Sequence, residues 1–295
     1  MKVFKLKALR WFKSILPPNK KRKLKSVVFK YKKIYIDLIY GYSYPELVRA
    51  LKTLGVDAGD ALMVHSSFGP FNGFQGPPQE VIKAFKECIG DKGTLLMVSM
   101  PYDGSTQKYL KSTKVFHSKK TMSKMGLLSE IFRRNSKVLR SLNPAHPVLA
   151  SGALAEWFVS GHEKCLYSCG DESPFEKLAK RKGKVLFFDV PFNTFTFIHH
   201  IEHLLERYLP FSLYGQEVVE FTVIDFEGKE AVVRSKYFSH ETVKRRCPKK
   251  LEDELTISGF IKKHKVGNTT LALVHVQDAI SCAFEMANKG KYFYD

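Results

Sequence analysis

Long apolar runs are missing from this 295-residue chain, which nowhere offers the roughly 20 uninterrupted apolar residues that cross a bilayer. Its lysine-rich beginning is not followed by an uncharged apolar core, so it does not read as a secretory signal. Cysteine is scarce. Cys88, Cys165, Cys169, Cys247 and Cys282 are odd in number and show no C-x-x-C spacing, which leaves no evident disulfide framework or cysteine zinc site. Together these absences predict a reducing, cytoplasmic setting. No internal repeat or low-complexity tract breaks the chain. Neither G-x-G-x-x-G nor a P-loop occurs, so a nucleotide fingerprint is not supported.

Acid is the minority charge: 29 Asp and Glu stand against 48 Lys and Arg, a formal net charge of +19. Residues 1–42 hold thirteen of those cations and one acid, Asp37, so they carry +12 and leave +7 for the rest. The imbalance is therefore a local device. This divides the chain into a basic amphipathic extension, 1–42, and a single globular domain, 43–295.

Within the extension, MKVFKLKALRWFKSIL (1–16) mixes apolar and basic side chains at helical spacing and is expected to stop at Pro17 and Pro18. The cluster Asn19 to Lys25 follows. Residues 1–25 suit in-plane contact with an anionic membrane, where each cation near the surface contributes about 1 kcal/mol. A frayed extension with no specific partner accounts for the same residues. Specific nucleic-acid binding is not expected, because no recognised module accompanies the basic cluster.

The domain opens with Ser43 and Glu46 at capping-box spacing, before a helix carrying Leu47, Leu51 and Leu54 and ending near Gly55. A buried strand at Ala61–Val64 leads into the loop HSSFGPFNGFQGPP, a helix from about Gln79 to Ile89, and a strand at Thr94–Met100. This order predicts an α/β fold, a mostly parallel central sheet flanked by helices. Residues 101–124, polar and rich in lysine (Lys108, Lys111, Lys114, Lys119, Lys120, Lys124), read as one long loop. Further helices are expected near 126–134, 153–158, 174–181 and 276–288, and a strand at Lys184–Val190. Alternation at 218–226 and 230–235 predicts an antiparallel β segment towards the C-terminus.

Two constellations can carry chemistry. After the strand Lys184–Val190 comes PFNTFTFIHHIEHLLERY, and in open α/β sheets ligands gather beyond the carboxyl ends of strands. On a helix Thr196, His199 and Glu202 share one face, so a hydroxyl and a carboxylate could set the tautomer of one imidazole. Polar residues that merely coat a helix would look the same. HHIEH also spells H-x-x-E-H, and His199, Glu202 and His203 are a candidate zinc set. The second constellation, His65 to Pro77, brings two serines and Gly69, Gly73 and Gly76 before a helix; backbone amides there suit an anionic group or a developing oxyanion. The glycines could equally be turn residues.

Together the strings resemble the aminoglycoside 3-N-acetyltransferase (antibiotic acetyltransferase) family. LMVHSSFGPFNGFQGPPQEVIKAF, MGLLSEIFRR, LRSLNPAHPVLASGALAEWF with CGDESPFEKL, KGKVLFFDVPFNTFTFIHHIEH and VGNTTLALVHVQDAISCAFEMA follow that family's order from about Ser43 to Asn288. The resemblance implies an acetyl-CoA-dependent N-acetyltransferase, with no metal, acting on an amino group of an aminoglycoside or other amino sugar. It implies His199 as general base, Thr196 as a hydroxyl steadying the imidazole or the intermediate, Glu202 as the orienting acid, and Ser66, Ser67, Phe68 and Gly76 around the coenzyme. The sequence departs at Asn143, where the family has histidine, with His146 three residues on, and at His117, where it has aspartate. Those departures leave open a catalytically inactive coenzyme-binding relative, beside the zinc hydrolase. They also put the acceptor in question, because the lysines of 101–124 favour an anionic amino sugar of a surface polysaccharide over a polycation.

Overall fold

A computed structural model describes residues 17–113 and 115–295. Its elements are α1 (Pro18–Ile39), α2 (Tyr44–Leu54), β1 (Ala61–Ser66), α3 (Pro78–Ile89), β2 (Thr94–Val98), α4 (Thr106–Ser112), β3 (Val115–His117), α5 (Leu127–Arg133), β4 (Leu139–Arg140), β5 (Val148–Gly152) and α6 (Ala155–Val159). They continue with α7 (Pro174–Lys180), β6 (Lys184–Phe188), α8 (Ile198–Leu205), β7 (Tyr214–Ile224), β8 (Glu230–Phe238), α9 (His240–Arg245), α10 (Pro248–Ile257), β9 (Lys262–Val266), β10 (Thr269–His275) and α11 (Val276–Asn288).

Seven strands form the central sheet in the order β4-β5-β2-β1-β6-β10-β9. The expected α/β architecture holds. Its parallel part is confined to the centre, β2-β1-β6, while both flanks run antiparallel. Central strands covered on both faces need apolar residues at every position, and ALMV, TLLMV and VLFF supply them. Successive side chains then feed two cores. Met63, Val185 and Phe187 join one with helices α6, α7, α8, α10 and α11; Leu62, Val64, Leu186 and Phe188 join the other with α2, α3 and α5. Each such fully buried side chain contributes about 1.5–3 kcal/mol relative to exposure.

The cap of α2 is as expected: the Ser43 amide donates to Glu46 Oε2 at 2.8 Å, and Gly55 ends the helix at φ +101°. At the foot of β1 and β6, the buried Lys184 ammonium reaches Asp57, Asp60 and the Gly55 carbonyl, each at 2.8 Å.

Residues 101–124 depart from the expected single loop, since they contain α4 and β3. Strand β3 pairs parallel with β7, completing a second sheet β3-β7-β8 whose two long strands are the antiparallel segment expected from alternation. Periodicity is invisible in a strand of three residues, which exists because β7 offers it an edge. Arg140, fully buried, ties this segment down by donating to the Ser118, Thr121 and Ser99 carbonyls while stacking 4.6 Å from the Phe116 ring centroid. The amphipathic segment predicted for 1–16 lies outside the described residues. Pro17 and Pro18 precede and open α1, where a missing N–H costs nothing.

Candidate active site

Strand β6 ends in a turn through Asp189, a non-glycine residue at φ +55° whose amide donates to the Thr270 carbonyl. That left-handed step turns the chain out of the sheet, through a short 3₁₀ turn at Phe192–Thr194, and into α8. His199 is thereby carried to the carboxyl edge of the parallel strands, beside the end of β1.

One imidazole is set by a buried ionic group. Nδ1 of His199 lies 2.9 Å from Glu202 Oε2, and Glu202 is completely buried. Arg246, at the end of α9, donates Nε to Glu202 Oε1 at 2.6 Å and a terminal nitrogen to Oε2 at 2.9 Å; the Tyr294 hydroxyl adds 2.7 Å to Oε1. Burial pushes the Glu202 carboxyl up, but the charge of Arg246 and the bond from His199 outweigh it and bring it down to about 2. An ionised carboxylate only accepts, so Nδ1 carries the proton and Nε2 is left with the lone pair. Burial, then the charge of Arg246, lower the imidazole below its ordinary 6.5 against the pull of Glu202. The ring is therefore neutral at pH 7, with its basic nitrogen fixed.

Two cavities meet at this ring. A cleft of about 670 Å³ has His199, Thr196, Asn193 and Arg246 on one wall and Ser66, Ser67 and Phe68 on the other, with Met100, Met125 and Leu127 between. A second, more enclosed cavity of about 190 Å³ is bounded by His199, His146, Phe238, Tyr102 and the turn 104–107. The rings of His146 and Phe238 stand 5.2 and 4.9 Å from that of His199. A molecule entering from each side would meet at one base.

Thr196 lines the cleft, but its hydroxyl donates to the Thr194 carbonyl at 3.3 Å. The amide of Ser67 is committed to the Phe188 carbonyl at 2.9 Å, which leaves the hydroxyl as its polar group toward the cleft. Gly76 lies apart from the lining residues: a Cβ there would meet Glu80 Oε2 at 2.4 Å and the Phe74 ring at 2.8 Å. Gly73, at φ +87°, passes close to the Tyr40 carbonyl. These two glycines permit close packing and a left-handed turn, so the turn reading of the loop holds for them.

The zinc set is not assembled. Glu202 is saturated by His199, Arg246 and Tyr294, while His203 turns Nδ1 to the Tyr214 hydroxyl at 2.9 Å. Among the described residues no three His, Cys, Asp or Glu cluster to hold a metal ion. Asn143 is also explained. Fully buried, it accepts from the Ala145 amide and reaches the His162 and Cys165 carbonyls, so it is a loop tie. His146, not residue 143, meets the His199 ring, and its own Nδ1 bonds Ser168 Oγ at 2.7 Å. Arg246, Tyr294, Phe238 and His146 escaped prediction; the first two lie 44 and 92 residues from Glu202, and no local pattern links them.

Residues 63–288 match the model of the aminoglycoside 3-N-acetyltransferase family, and the chain belongs to that family. The aminoglycoside N(3)-acetyltransferase III of Pseudomonas aeruginosa is 31% identical over 181 residues, covering 57% of this chain and 66% of that protein. The chain thus matches slightly under two thirds of that relative's length. The fold superposes on a structure of aminoglycoside acetyltransferase AAC(3)-Xa with TM-score 0.72 at 21% identity, covering 86% of this chain and 95% of that one. It also superposes on AAC-IIIb in binary complex with CoASH, TM-score 0.70 at 24% identity, covering 85% and 98%.

Proposed function

We propose that this protein transfers the acetyl group of acetyl-CoA to an amino group of an amino sugar, with His199 as general base. The observation that carries the reading is a neutral imidazole whose protonated nitrogen is held by Glu202 while its ring borders both cavities. The larger, mostly apolar cleft suits the pantetheine arm and thioester, and Ser66, Ser67 and Phe68 flank it. The smaller cavity suits the sugar. Nε2 takes a proton from the amine as its nitrogen attacks the thioester carbonyl. The C–N bond forms, the C–S bond breaks, and the imidazolium returns the proton to the departing thiolate. Glu202 keeps the imidazolium stable at that moment. The Ser67 hydroxyl is a candidate to donate to the oxyanion, and that of Thr196 becomes one on release from the Thr194 carbonyl.

The acceptor is inferred to be an amino sugar carrying anionic groups rather than a polycation. No Asp or Glu is among the residues lining the smaller cavity, which include Arg246 and His240. Asp103, next to the lining Tyr102, pairs with Lys124 at 3.4 Å, and Glu217, bonded to the Tyr237 hydroxyl, pairs with Lys111 at 2.7 Å. A polycationic antibiotic would find no free carboxylate there. Calorimetric titration with acetyl-CoA, then mass detection of products from glucosamine, a nucleotide-linked amino sugar and gentamicin, tests both parts. Absence of acetyl-CoA binding defeats the transferase reading. Preferred turnover of gentamicin leaves that reading standing and defeats the anionic acceptor.

A further inference from the structure

Helix α1 exposes an apolar stripe unlike any other among the described residues. Of 19 exposed large hydrophobic side chains among the described residues, nine lie on this one helix. Leu24, Val27, Val28, Tyr31, Ile34, Tyr35 and Leu38 recur at spacings of three and four, so at about 100° per residue they share an arc of roughly 120°. Leu38 is 77% exposed and Tyr31 69%.

The helix is held to the domain by a different face. Ile36 is buried, Phe29 stacks on Phe71 at 4.9 Å, and Lys32 lies 4.3 Å over that ring. Just beyond the helix, Tyr42 is clamped by donating its amide to the Gly73 carbonyl, by accepting from the Gln75 amide, and by its hydroxyl on Thr269 at 2.8 Å. The apolar stripe therefore points away from the body and is fixed relative to it.

Eight Lys and Arg against Asp37 give α1 a charge of +7. On the helix Lys23 and Lys30 flank one margin of the stripe, Lys25 and Lys32 the other. A second copy laid on the stripe would bring two such helices together and be repelled. A nucleic acid would use the lysines and leave the apolar residues in water. An anionic lipid surface satisfies both, with side chains entering the acyl boundary and ammonium groups at the headgroups.

We infer that α1 is an in-plane anchor that seats this protein on an anionic membrane surface through Leu24, Val28, Tyr31, Tyr35 and Leu38. The inference stands apart from the catalytic reading, because none of these residues borders either cavity at His199.

The test is co-sedimentation of the full chain with phosphatidylcholine vesicles and with vesicles containing phosphatidylglycerol. Wild type should partition at least tenfold more strongly onto the anionic vesicles, and raising salt from 0.1 to 0.5 M should weaken it. The exposed double variant Val28→Asp/Leu38→Asp should lose at least tenfold while keeping the wild-type melting temperature. A parallel Lys23→Glu/Lys30→Glu variant should lose the anionic preference. Undiminished binding by the Asp variant would place any attraction elsewhere, for example in residues 1–16, and overturn the inference. So would equal binding to neutral vesicles. So would sedimentation of wild type as a dimer that the Asp variant converts to monomer without any vesicle binding.

Discussion

The hydroxyl of Tyr294 donates to Oε1 of Glu202 at 2.7 Å, from beyond the stretch shared with the family. The carboxylate that sets the tautomer of His199 is therefore completed by two residues, Arg246 and Tyr294, arriving from separate elements. Removing that one donor should leave the carboxylate a stronger acceptor for the imidazole proton. Tyr294→Phe is expected to lower kcat about tenfold, about 1.4 kcal/mol, because Glu202 and the ring it orients are held less firmly. It should leave KM for acetyl-CoA unchanged and move the acid limb of the pH profile upward. A loss of stability with an unmoved limb would make the residue merely structural.

Glu202→Gln removes the charge opposite a buried guanidinium and frees the imidazole to take either tautomer. Activity should fall between about 10² and 10⁴, the range of general-base catalysis. Stability should fall too, by about 3 kcal/mol, because Arg246 is left without its partner. Steady-state kinetics and thermal melting read the two effects separately. A variant with near wild-type turnover would contradict the role given to the carboxylate.

The pH dependence follows from the direction of the imidazole's shift. Burial and Arg246 place its pKa below 6.5, so Nε2 is available throughout the neutral range. On acidification kcat/KM should drop through a single limb below 6.5, as a protonated ring cannot accept. His199→Ala should lose the limb with the activity and still bind acetyl-CoA by calorimetry.

Far from the site, Lys184 offers a test of the fold. Burial pulls its pKa down, but the bonds to Asp60 and Asp57 raise it above the ordinary lysine value. A raised folded pKa contributes stability that is fully present below the unfolded value of about 10.4 and disappears as pH climbs through the folded one. Lys184→Met should cost about 1–3 kcal/mol at pH 7, discounted because Asp57 is largely in water. The deficit should shrink as pH rises beyond about 10.4. Denaturant midpoints across that range check it.

Much of the fold was legible because its signals are short-range. Runs such as TLLMV and VLFF announce strands covered on both faces, and Ser43 with Glu46 marks a helix start. His199 and Glu202 could be paired because three residues bring two side chains to one helix face. Where partners come from afar, legibility ends. The strand β3 is three residues that only β7 makes a strand. The chain shows Gly76 only as a loop glycine, and that it packs closely against Phe74 follows from the fold. Asn143 suggested decay until its three buried partners were known.

The amino-acid sequence alone determined the α/β class, the family, the shared helix face of His199 and Glu202, and the concentration of positive charge in residues 1–42, since each is written in periodicity, spacing or composition. Only the tertiary structure decided that Arg246 and Tyr294 close around Glu202, that His146 and Phe238 border the base, and that the apolar face of α1 stays uncovered. Those depend on how separate elements pack, and contact between residues 44 or 92 positions apart leaves no trace in local order.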